Sequence, residues 1–156
     1  MLLSILLVIA LLCGCDSLPS DQNLIGRFRQ NRPDLERIRQ MIEEDNLDGR
    51  IHADYADPKL TAARLDQYRL LMRKTGIVRL WAHGKANPFE LIVVATGFLD
   101  HGDYKGYMYN PAKPQPPPVS PSLDHSCFDA AQLSETQGAC SAARSLDNGW
   151  WLIRYE

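Results

Sequence analysis

The chain has 156 residues, of which 45% are hydrophobic and 23% charged, and a formal net charge of −2. That length holds one ordinary globular domain plus a short appendage, and the composition is that of a chain able to pack a core. A pI near 6.1 lacks the basic excess by which a domain holds nucleic acid, so no nucleic-acid partner is expected.

Met1–Leu12 is apolar apart from Ser4 and runs into Leu12-Cys13-Gly14-Cys15. About a dozen apolar residues cannot cross ~30 Å of hydrocarbon, which takes ~20 helical residues. A run of that length ending in small residues has the form of a removable signal. Its order resembles the bacterial lipoprotein signal, with Leu12 at −3 and Gly14 at −1 of Cys15. The resemblance implies cleavage before Cys15, diacylglyceryl on the Cys15 sulfur and palmitate or another acyl chain on its new amino group. Each buried acyl CH₂ contributes ~0.8 kcal/mol, so two or three chains anchor firmly. The usual basic start of such signals is missing, since no Lys or Arg precedes Arg27. Asp16 is similar to the inner-membrane retention signal of enterobacterial lipoproteins. The expected location is the periplasmic or external face of the cell membrane, with the outer membrane as the alternative. Residues 1–14 are then the signal peptide, 15–23 a polar lipidated tether, and 24–156 one domain.

Within that domain Leu24, Ile25 and Phe28 form a turn ahead of the first helix. Asn31 is a fair N-cap, Pro33 suits the first turn, and Leu35, Ile38, Met41 and Ile42 recur at helical spacing up to Asn46. Arg27, Arg29, Arg32, Arg37 and Arg39 crowd this region; Glu43, Glu44, Asp45 and Asp48 balance them, which favours a solvated helix face over a headgroup-binding one. Residues 50–60 read as a loop. Thr61 caps a second helix with Leu65, Tyr68 and Met72 on one face and Gly76 as its left-handed stop. Strands follow at 77–83, 89–96 and 104–109, joined by short turns that require antiparallel pairing. Phe89–Thr96 is apolar on both faces, as a central strand is. Residues 111–121 hold six of the ten prolines and form an extended loop outside the sheet. Residues 122–146 have weak helical character, Asp147-Asn148-Gly149 is a turn, and Trp150–Tyr155 is a closing strand. The expected fold is α+β, two N-terminal helices packed on an antiparallel sheet of three to five strands.

Chemistry-bearing residues are sparse. After cleavage Cys127 and Cys140 remain, an even pair expected to form a disulfide in an oxidising compartment. Closing a loop of that length contributes ~3 kcal/mol in the chain-entropy model. The histidines are scattered. His52 with Asp54 and Asp57, and His101 with Asp100 and Asp103, are the two polar clusters able to serve acid–base work, and both are ordinary turn chemistry as well. No metal, cofactor or catalytic motif is read from the sequence. The aromatic residues are the better lead. Trp81, Tyr107, Tyr109, Trp150 and Trp151 suit a stacking surface for a glycan or a protein. Of these, Tyr107, Tyr109, Trp150 and Trp151 form the candidate binding surface. Core packing against the helices competes with that role.

The lipobox, the Arg/Glu-rich helix, Lys105-Gly106-Tyr107, the Pro-rich gap, Ser122-Leu123-Asp124 and Gly149-Trp150-Trp151-Leu152 together resemble a group of small uncharacterised bacterial lipoproteins. The expected function is a membrane-anchored envelope lipoprotein, a binding or inhibitor module and not an enzyme. The alternatives are a small envelope hydrolase using a His/Asp cluster, or a structural component of an envelope complex.

Overall fold

A computed structural model describes residues 18–56, 58–84, 88–96, 102–111, 119–125 and 140–156. Their elements are α1 (Asp21–Gln30), α2 (Arg32–Asp45), β1 (Asp48–Ile51), α3 (Ala62–Thr75), β2 (Arg79–His83), β3 (Phe89–Ala95), β4 (Tyr104–Tyr109), β5 (Ser141–Ser145) and β6 (Trp150–Tyr155). The strands form one antiparallel sheet in the order β1-β2-β3-β4-β6-β5. The fold is α+β, with six strands where three to five were expected. No described helix is long and apolar enough to cross a membrane.

The α1 helix corrects the tether boundary. Ser20 Oγ accepts the Asn23 N–H at 3.3 Å, so a full helix starts at Asp21 in place of a turn. Asn31 then closes α1: its amide Nδ2 donates to Arg27 O at 2.9 Å and does not cap α2. Thr61 caps α3 as expected, accepting the Arg64 N–H at 3.2 Å, and Gly76 ends it at φ +72°. Two strands lie in stretches whose local pattern reads as loop or as weakly helical. β1 is a four-residue edge strand, too short for alternation to register, and pairing with β2 supplies its bonds. β5 lies in the stretch read as weakly helical; Ser141-Ala142-Ala143-Arg144-Ser145 has small residues of no strong preference, and the neighbouring β6 decides.

The three helices cover one face of the sheet. Leu24, Phe28, Leu35, Ile38, Met41, Tyr68 and Met72 meet Ile51, Leu80, Leu91, Tyr107, Trp150 and Leu152 in a single core. Each such side chain contributes ~1.5–3 kcal/mol on burial. The arginines over the helices are mostly paired: Arg32 and Arg39 hold Glu36, Arg39 also holds Glu43, and Arg37 reaches Glu44 at 3.3 Å. The other face carries a second, smaller cluster of Met108, Ala143 and Ile153 flanked by Tyr104, Trp151 and Tyr155, and no helix residue belongs to it.

Strands β3 and β4 approach closely where the register shifts between Ile92 and Val94. A Cβ on Gly106 would lie 2.3 Å from Leu91 O and 2.9 Å from Ile92 Cα, both backbone atoms. Gly106→Ala is therefore expected to cost ~1–3 kcal/mol or more, because two central strands must part. Chemical denaturation checks this, and an unchanged midpoint would show that the bulge absorbs a methyl group.

Candidate functional site

Two polar constellations stand out, one on each side of the sheet. On the helix side, β4 directs Lys105 toward the start of α1. Its ammonium is 1% exposed and donates to Pro19 O at 3.2 Å, Asp21 Oδ1 at 3.1 Å and Asp124 Oδ1 at 3.1 Å. Asp21, also 1% exposed, accepts the Leu123 N–H at 2.7 Å and an Arg144 N–H at 3.3 Å through Oδ2. Burial opposes the charge on Asp124, but the Asp21 N–H and the Lys105 ammonium outweigh it and hold that carboxyl below the usual aspartate range. Arg154 extends the cluster by donating to Leu123 O at 2.9 Å and His125 O at 2.8 Å. Lys105 and Asp21 form the cluster's buried centre, while Asp124 and Arg144 reach the surface at its rim, and Arg154 Nε is buried with no partner among the described residues. The cluster closes the fold around its own N-terminal end.

On the helix-free side a groove of about 410 Å³ is lined by Asp48, Gly49, Arg50, Trp81, Ala82, His83 and Glu90. Period-two alternation along β1, β2 and β3 sets this lining, since Arg50 faces Trp81 and Trp81 faces Glu90 across the ladder. The Arg50 guanidinium lies 4.9 Å from the Trp81 ring centroid and Arg79 lies 5.6 Å from it. Neither guanidinium has an ion-pair partner among the described residues. Glu90 Oε1 accepts the Tyr155 hydroxyl at 3.1 Å, while Glu90 Oε2 and Trp81 Nε1 are buried with no partner among the described residues. Rings continue from the groove: Trp81 meets Tyr104 edge-on at 5.8 Å, and Tyr104 stacks on Tyr155 at 4.6 Å.

Burial pushes the Glu90 carboxyl above its ordinary value of 4.5, against the Tyr155 bond and nearby His83. A carboxyl raised in the folded state favours the protonated form there. Its penalty is absent below about pH 4.5, where both states are protonated, and grows as pH rises through the folded value. Glu90→Gln is thus expected to raise the melting temperature at pH 7 and to leave it unchanged near pH 4. Thermal scans at both values test this; an equal effect at both would remove the titration argument.

The expected binding surface divides. Tyr107 and Trp150 are core residues, 1% and 0% exposed. The Tyr107 hydroxyl donates to Leu24 O at 2.8 Å, and burial raises its pKa to about 12. Tyr109 stacks on Phe89 at 5.5 Å beneath Arg39. These three residues face the helices, because the strand phase of β4 and β6 turns them inward; Tyr107 and Trp150 are buried there, and Tyr109 is half-buried. Trp151 alone of the four lies on the other face, half-buried beside Met108 and Ile153. Trp81 shares that face, joined to it by Tyr104. Glu90 and Arg50 had no motif to mark them; only the alternation around Trp81 in β2 could have pointed there.

The His/Asp clusters do not assemble among the described residues. His52 stacks on Tyr55 at 5.5 Å in the loop after β1, with Asp54 exposed, and Asp57 lies outside the described residues. Asp100 and His101 also lie outside them, while Asp103 sits 3.7 Å from Arg154. No group of three His, Cys, Asp or Glu residues stands at metal-binding spacing among the described residues. Cys140 immediately precedes β5 and is buried, with its backbone paired twice to Glu156. Cys127, Cys15, Asp16, the 1–14 segment and residues 112–118 of the Pro-rich stretch lie outside the described residues. No protein-family model, curated protein or solved structure matches the chain.

Proposed function

We propose that this protein is an envelope lipoprotein, anchored through Cys15, that acts as a binding module through the helix-free face of its sheet. The observation that carries the binding reading is the half-buried ring series Trp81–Tyr104–Tyr155, with Trp151 nearby, on a face that no described helix covers. Aromatic residues with a polar end are the side chains that interfaces favour. The anchor rests on the Leu12-Cys13-Gly14-Cys15 order. Six residues lead from Cys15 to the buried Asp21, so the domain hangs within roughly 20 Å of its lipid. An exported location also supports the Cys127–Cys140 disulfide.

Two measurements test the reading. Cys15→Ser is expected to abolish fatty-acid labelling and release the protein from membranes; continued labelling would reject the anchor. A photo-crosslinking residue at Trp151 is expected to give one specific adduct in intact cells, and the same residue at Leu70 on exposed α3 none. Equal labelling from both positions would reject the face.

A further inference from the structure

We infer that the groove between β1, β2 and β3 is a saccharide subsite, with Trp81, Glu90 and Arg50 as its ligand-contacting residues. The inference rests on the binding-module reading above and names its ligand class. Three observations favour a sugar over a simple anion or cation. First, the lining mixes acid and base, Asp48 and Glu90 against Arg50 and His83, so no single sign of charge is concentrated there. A hydroxyl both donates and accepts, and suits such a lining better than an ion does. Second, the groove floor holds an unused donor and an unused acceptor, Trp81 Nε1 and Glu90 Oε2. Buried polar groups without partners are rare and costly, and mark a place for a bound group. Ligand hydroxyls that accept from Nε1 and donate to Oε2 satisfy both. The Arg50 guanidinium lies over the Trp81 ring and must swing aside to admit them; it is exposed and has no ion pair among the described residues to break. Third, the half-buried rings of Tyr104 and Tyr155 continue from the groove along the same face, so the aromatic surface that apolar sugar faces favour extends beyond the first unit. A volume of about 410 Å³ lies within the range of small-ligand sites.

The test uses the full chain in detergent micelles, titrated with the N-acetylglucosamine tetramer and, separately, with sodium glutamate. Calorimetry and tryptophan fluorescence read the binding. Saturable binding of the tetramer is expected, with glutamate at equal concentration failing to compete. Trp81→Phe keeps a ring and removes the N–H, and Arg50→Ala alters an exposed side chain; each is expected to weaken binding about tenfold or more. Leu70→Ser, on the far side of the molecule, is expected to bind as the parent does. The inference is overturned if the tetramer shows no saturable binding, if both groove variants bind within twofold of the parent, or if glutamate competes as well as the tetramer, which makes the groove an anion site. If the tetramer fails while a residue at Trp151 still crosslinks a protein in cells, the saccharide subsite is wrong and the binding-module reading stands. If both fail, both are wrong.

Discussion

Trp150→Ala is expected to cost ~3–5 kcal/mol, a large part of what holds a domain of this size together. Trp151→Ala, one residue on, is expected to cost about 1 kcal/mol or less, as half-exposed positions do. The asymmetry follows from strand geometry. Successive side chains in β6 point to opposite faces, and the helices cover only one. The Trp150 ring lies 5.2 Å from Tyr109, 5.6 Å from Phe28 and 5.7 Å from Phe89, so its loss opens a cavity among aromatic residues from α1, β3 and β4. It also donates from Nε1 to Glu36 Oε1 at 2.9 Å. Burial resists the charge on Glu36, but Arg39, Trp150 and Arg32 outweigh it and hold the carboxyl below its ordinary value. Removing Trp150 therefore loosens α2 as well as the core. Trp150→Phe, which keeps one ring but loses that bond and leaves a smaller cavity, should fall between, at ~1.5–3 kcal/mol. Urea denaturation of the three variants decides it, and equal costs for the two alanine variants would contradict the assignment of faces.

That contrast was half legible in the sequence. Adjacent tryptophans in a strand must diverge, so only one could face the helices; which one depends on the sheet's partners and not on local pattern. The helices were easiest where caps and periodicity agree, as at Thr61 and Gly76 around α3. α1 was missed because Asp21-Gln22-Asn23 reads as tether, and the reason it folds lies 84 residues away at Lys105. β1 and β5 were missed for a related reason. Both are short edge strands, and Ala142 and Ala143 carry little preference of their own. The turn after β5 was read correctly: Asn148 at φ +45° and Gly149 at φ +84° adopt the left-handed geometry that an Asn-Gly pair accepts. The groove was least legible. It brings together β1, β2 and β3, and Glu90 gains meaning only beside Trp81 and Tyr155.

Lys105→Met is expected to cost ~3–5 kcal/mol at pH 7, because it nearly preserves volume yet strips the buried cation from beside the buried Asp21. What remains is Asp21, 1% exposed, within reach of Asp124, with only the partly exposed Arg144 at 3.3 Å to oppose the charge. Asp124 then lacks one of the interactions that hold its carboxyl low, and this gives the variant a pH signature. In the parent, the depressed Asp124 contributes stability that is present above its ordinary value of 3.8 and lost as pH falls through the folded value. In the variant the Lys105 share of that depression is gone, so less stability is gained as pH rises. The gap between parent and variant should therefore be widest at pH 7 and narrow toward pH 4. A variant that merely lost packing would show the same gap at both. Asp21→Asn/Lys105→Met removes the stranded charge at its source and is expected to recover part of the loss, since a neutral pair avoids the unpaired buried ion. Hydrogen exchange locates the damage. The amides of Asp21 and Leu123 are held by Asp124 and Asp21 side chains at 2.6 and 2.7 Å, and they should lose protection before the amides of β3 do. That order of loss would identify the cluster as the clasp that fixes the first helix to the middle of the sheet. Full protection at Leu123 in Lys105→Met would mean that Arg144 alone holds Asp21 in place.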